Sequence, residues 1–78
     1  MSPEQLNAVE KIKKARKEKH LTYRLLAEKL NVSATALCRI EQGYRIPNPE
    51  FLSAICDAVA LNEADKTDIM LAFGYMEV

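Results

Sequence analysis

Hydrogen-bond donors, rather than nucleophiles or metal ligands, dominate the side chains of this sequence that are equipped for chemistry. Arg39 carries a fork of N–H groups that matches the O6 and N7 acceptors of guanine. Thr35, one helical turn earlier, offers a hydroxyl to a base edge or its carbon to a thymine methyl. Ser33, Ala34 and Cys38 share that stretch and add weak or apolar contacts. Two flanking groups suit phosphate oxygens. Thr22, Tyr23 and Arg24 bring hydroxyls, a guanidinium and backbone amides, and Gln42, Tyr44 and Arg45 bring a second grip. Bond-breaking chemistry has no comparable set. His20 has no carboxylate or nucleophile at motif spacing, and no Gly-rich phosphate loop exists, so no enzyme is expected. With one histidine and no Cys-x-x-Cys pair, no metal or other cofactor is expected. Cys38 and Cys56 fall in predicted helices on different faces and are expected to stay reduced and unbridged.

The elements that must position these residues read as five helices and no strands. Ser2-Pro3-Glu4-Gln5 supplies an N-cap, a first-position proline and a capping box. Leu6, Val9, Ile12 and Ala15 then recur at helical spacing, which predicts helix 1 to about Lys19, with Lys11, Lys13, Lys14 and Lys17 on its outer side. Thr22 caps helix 2, whose inward residues are Leu26, Ala27 and Leu30. Asn31-Val32-Ser33 makes a tight turn, and Ser33 caps helix 3, held by Leu37 and Ile40. Gly43 stands where a left-handed stop is wanted. Asn48-Pro49 opens helix 4, with Leu52, Ile55, Cys56 and Val59 inward. Asn62 and Asp65 open helix 5, which closes at Gly74. Two short helices joined by a tight turn, over about residues 22–42, are the geometry that seats one helix in the major groove of DNA.

Net charge is zero, but its distribution is polar. Residues 1–47 hold ten Lys/Arg against five Asp/Glu, and residues 48–78 hold one Lys against six acids. A basic half fits phosphate binding whatever the total, although two solvated faces of opposite sign give the same count. Lys13, Lys14 and Lys17 read as a solvated face or as long-range steering. The chain is 49% hydrophobic, enough for a core. No apolar run approaches the roughly 20 residues of a membrane span, and no apolar signal segment opens the chain, so a cytoplasmic protein is expected. No linker or repeat divides it, and residues 1–78 are expected to form one domain.

Residues 12–61 resemble the Cro/C1-repressor (XRE-like) type of helix-turn-helix domain of bacterial and phage regulators. The matching residues are Leu26-Ala27-Glu28-Lys29-Leu30, the turn Asn31-Val32-Ser33, and Leu37, Arg39, Ile40, Glu41, Gly43 and Pro47. Leu71-Ala72-Phe73-Gly74-Tyr75 is similar to the end of such domains with a fifth helix. The resemblance implies an all-α, lambda-repressor-like five-helix bundle that binds double-stranded DNA with helix 3. It also implies an ion pair between Arg16 and Glu41, with a phosphate approach as the other use of Arg16. The chain departs from the family where Ala34 and Cys38 replace longer polar residues, which shifts weight from base contacts to phosphates and DNA shape. Tyr23 stands where the family often has Gln, and Leu25 where it usually has a charge.

Helix 5 and the tail are apolar on several sides. Ile69, Met70, Phe73, Tyr75, Met76 and Val78 are the expected seam of a homodimer, the alternative being that the domain needs them for its own core. The expected function is a sequence-specific, repressor-like regulator on an inverted-repeat operator, with no membrane or small-molecule partner. The alternative on the same fold is a protein-binding module, an antitoxin subunit or an anti-repressor, working through acidic helices 4 and 5.

Overall fold

A side-chain cap opens every helix among the described residues. The computed structural model describes residues 1–76, and its elements are α1 (Pro3–Glu18), α2 (Tyr23–Leu30), α3 (Ala34–Glu41), α4 (Pro49–Ala58) and α5 (Glu63–Ala72), with no strand among the described residues. Ser2, Thr22, Ser33, Asn48 and Asn62 are the five N-caps. Each side-chain oxygen accepts the backbone N–H three residues on, at 2.7–3.2 Å. The capping box is closed by Gln5, whose side chain accepts the Ser2 N–H at 2.9 Å. One such cap contributes about 1 kcal/mol, which matters for helices of only 8 to 16 residues.

The C-terminal ends repeat one motif five times. His20, Asn31, Gly43, Ala60 and Gly74 all have positive φ. The next residue in each case, Leu21, Val32, Tyr44, Leu61 or Tyr75, donates its N–H five residues back into the helix. This is the Schellman closure, in which the residue after the left-handed one is apolar and folds back onto the helix. Leu21, Val32, Leu61 and Tyr75 do so and pack against the core. Tyr44 does not and is 81% exposed.

One apolar cluster joins all five helices. It contains Ala8, Val9 and Ile12 of α1, Leu26 and Ala27 of α2, Leu37 and Ile40 of α3, Leu52, Ile55 and Cys56 of α4, and Ile69 and Met70 of α5, completed by Val59 and Phe73. Helix α1 packs on α5 and α3, α2 packs on α3 and α4, and α4 packs on α5.

Burial corrects several expectations. The inward face of α1 is Ala8, Val9, Ile12 and Arg16, while Leu6 is 44% exposed and Ala15 only half-buried. A spacing of three residues drifts around a helix of 3.6 residues per turn, so the ends of the expected set leave the core face. The ends agree with expectation, since α1 runs to Glu18 with Lys19 as its C-cap and the left-handed Gly74 closes α5. Leu25, which stands where the family usually has a charge, is 48% exposed. The largest correction concerns the dimer seam. Ile69, Met70 and Phe73 are buried inside this one chain, because α5 packs against both α1 and α4. Tyr75 is half-buried, stacks on Phe73 and donates its hydroxyl to the Pro47 carbonyl oxygen. Of the expected seam only Met76 remains exposed, and Val78 lies outside the described residues.

Candidate nucleic-acid interface

The interface is built on α2, α3 and the three residues between them. Asn31 adopts the left-handed conformation (φ 58°, ψ 46°) and Ser33 returns to extended backbone, so the chain reverses within one short turn. Helices α2 and α3 pack against each other with Ala27 buried between core residues. Ala36, Leu37 and Ile40 turn α3 inward. Its opposite side presents Thr35 and Arg39 fully to solvent, with Ala34 and Cys38 half-buried beside them. Ala36 is a core residue.

Arg39 and Arg45 have no ion-pair partner among the described residues, so their donors are free. Ser33 is partly committed, because its Oγ accepts the Ala36 N–H at 3.2 Å, and only its hydroxyl proton is left to donate. Thr22 is in the same position, accepting from the Leu25 N–H at 3.1 Å. Arg24 lies 3.5 Å from Glu28 in an exposed pair one turn apart. Such a pair contributes only about 0.3–0.5 kcal/mol and yields readily to a phosphate. Gln42, Tyr44 and Arg45 all stand exposed in the loop after α3.

A buried ion pair holds the back of α3. Arg16 donates from Nε to Glu41 Oε2 at 2.7 Å and from a terminal nitrogen to Oε1 at 3.1 Å. Its other terminal nitrogen donates to the Leu21 carbonyl oxygen at 2.6 Å. Both side chains are almost wholly buried, at 8% and 4% exposure. The hydrogen bond to Glu41 pushes the guanidinium pKa further up, against the opposing effect of burial. With each of its three nitrogens donating to a buried acceptor and the side chain only 8% exposed, Arg16 is turned away from any phosphate. The Tyr23 ring lies over the same guanidinium, 4.4 Å from ring centre to Cζ. Burial pushes the Tyr23 hydroxyl pKa above its ordinary value, with the Glu41 charge adding to the effect. The sequence expected Tyr23 to face phosphate, and its ring instead covers the ion pair; nothing in the spacing of residues 16, 23 and 41 reveals that stacking.

Lys11 pairs with Asp68 at 3.5 Å, and Lys66 pairs with Asp57 at 2.8 Å, so part of the acidic half is neutralised internally. Cys38 and Cys56 are both free thiols. No cluster of three or more potential metal ligands occurs among the described residues, and no helix there is long and apolar enough to cross a membrane.

A family model described as helix-turn-helix matches residues 12–65. No curated protein and no solved structure matches the chain. The matched segment runs from Ile12 of α1 through α2, the turn, α3 and α4 into α5, and so contains the α2–turn–α3 unit and both partners of the Arg16–Glu41 pair. It is a DNA-binding family and not a family of enzymes. The chain belongs to the helix-turn-helix family and is a DNA-binding regulator of the Cro/C1 (XRE) type.

Proposed function

We propose that this protein is a sequence-specific, repressor-like regulator that works as a homodimer and reads the major groove with α3. The observation that supports this reading best is the two-sidedness of α3. One side is anchored by Leu37, Ile40 and the Glu41 ion pair, and the other offers an unpaired Arg39 with Thr35 to solvent. Ser33, Ala34, Thr35, Cys38 and Arg39 make the base contacts. Thr22 and Arg24, with the first amides of α2, hold one strand, and Gln42, Tyr44 and Arg45 hold the other. Arg39 on guanine carries most of the direct readout, because Ala34 and Cys38 add little hydrogen bonding. Residues 1–78 fold as one helix-turn-helix domain, and its place is the cytoplasm, where a regulator of this type meets DNA.

Dimerisation then uses what the core leaves outside. Leu6, Ile46 and Met76 are 44%, 55% and 43% exposed. Leu6 reaches the Gly43 backbone, where an added Cβ would lie 3.0 Å from its Cδ2. The Tyr75 hydroxyl ties the tail to Pro47, beside Ile46. These contacts gather the three residues around the loop after α3. A two-fold axis there sets two α3 helices side by side for an inverted repeat, with half-sites roughly 34 Å apart.

Selection of bound sequences from random DNA, followed by a salt titration, tests the reading. The expected result is an inverted repeat, with affinity falling by a log–log slope of roughly −0.9 per neutralised phosphate. Absence of salt-sensitive binding would leave the protein-binding module as the better account. That alternative draws on exposed Glu50 and Glu63 of α4 and α5, but the pairing of Asp57 and Asp68 with lysines weakens its acidic surface.

A further inference from the structure

We infer that Tyr23 is a positioning residue for DNA binding, one that presets the separation of the two phosphate grips. This rests on the DNA-binding reading given above. Arg16 is the point where three parts of the chain meet. It holds Glu41, the last residue of α3, through two hydrogen bonds, and the Leu21 carbonyl just ahead of α2 through a third. The Leu21 N–H returns a bond to the Arg16 carbonyl at 3.1 Å, so the entry to α2 is moored to Arg16 from both sides. These bonds use the edge of the guanidinium plane and leave its face. Tyr23, the first residue of α2, fills that face with its ring.

The consequence is geometric. Thr22 and Arg24 adjoin Tyr23, while Gln42 follows Glu41 directly and Arg45 stands four residues beyond it, past the turn at Gly43. One guanidinium therefore spans the start of one grip and the start of the other. Hydrogen bonds in the plane fix α3 and Leu21, and stacking on the face stops the first turn of α2 from rocking about Leu21. Cation–π contacts strengthen as they are desolvated, and this one covers an almost wholly buried ion pair. The Tyr23 hydroxyl is not needed for this role, and the ring is.

Tyr23→Phe and Tyr23→Leu separate the ring from the hydroxyl. DNA affinity is measured on the selected site over a range of salt, and amide exchange of Leu25 and Leu26, the first amides bonded to the Thr22 cap, is measured in the free protein. Tyr23→Leu is expected to bind about tenfold more weakly with unchanged base preference, and its Leu25 and Leu26 amides are expected to exchange about tenfold faster. Tyr23→Phe is expected to restore both. Wild-type affinity and protection in Tyr23→Leu overturn the proposal. Tyr23→Phe as weak as Tyr23→Leu, with a salt slope flatter by about one, also overturns it and makes the hydroxyl a phosphate contact. If the wild-type protein shows no salt-sensitive DNA binding, the regulator reading fails and the proposed role goes with it. The exchange data then still report whether the ring holds α2.

Discussion

Arg16 on α1 and Glu41 at the end of α3 are 25 residues apart and meet through two hydrogen bonds, of 2.7 and 3.1 Å, in a nearly dry site. The pair fixes the angle between the helix that carries the lysines and the helix proposed to read bases. Removing one partner leaves a buried charge with no counterpart. Arg16→Met or Glu41→Leu is therefore expected to destabilise the fold by about 3–5 kcal/mol, and the double variant by less than the sum. Urea unfolding of the three variants checks this. Additive losses would mean that the two groups do not act as a pair.

Ala60 closes α4 with φ at +57°, a conformation in which its Cβ crowds the next carbonyl. The residue is exposed, so nothing in the core depends on its methyl group. Ala60→Gly is expected to stabilise the protein by about 1 kcal/mol, the local strain relieved outweighing the extra freedom of the unfolded chain. Thermal unfolding is expected to shift up by roughly 4–8 °C. A lower midpoint would show that this strain is not significant.

Cys56 sits wholly inside the core, and burial pushes its pKa from 9.0 to about 11. The folded state therefore holds this proton more tightly than the unfolded chain. The associated stability is complete below pH 9 and is lost as pH rises through 9 to 11, by up to about 2–3 kcal/mol. Cys56→Ala is expected to show a shallower alkaline loss than wild type. The half-buried Cys38 is expected to react with a thiol reagent in the native protein, and Cys56 only after unfolding. Equal native rates would contradict the placement of Cys56.

Arg39 and Arg45 are expected to differ in kind. Arg39→Ala should cost about 1–3 kcal/mol on the preferred site and relax one base position. Arg45→Ala should weaken binding to all sequences and flatten the salt slope by about one. If Arg39→Ala leaves base preference intact, α3 is not the reading helix in the proposed register.

Ile46→Asp and Ile69→Asp separate the proposed loop seam from the core. Ile69 has no exposed surface, so Ile69→Asp is expected to unfold the protein outright. Ile46 is 55% exposed, so Ile46→Asp is expected to remain folded and to sediment as a monomer where the wild type dimerises. A wild-type protein that stays monomeric on DNA as well would count against the loop seam.

The sequence by itself determined the local grammar. Ser2, Thr22, Ser33, Asn48 and Asn62 specify five helix starts because each carries an oxygen one short side chain away from orphan amides. Asn31, Gly43 and Gly74 specify three of the stops for the same kind of local reason, and the residues of α2, the turn and α3 were enough to recognise the fold. His20 and Ala60 were not legible as stops, since what holds them at positive φ is the return bond and the core packing of Leu21 and Leu61 beyond them. Tertiary structure decided which apolar residues have a neighbour. Leu6 and Ile69 look alike in the pattern, yet one is exposed at the edge of the loop after α3 and the other is sealed between helices. It also decided the fate of Tyr23, whose ring meets Arg16 only because α1, α2 and α3 converge at one point. Capping and periodicity act over three to five residues, and a sequence displays them directly. Contacts across seven to 25 residues depend on the angles between helices, and only the packed core sets those.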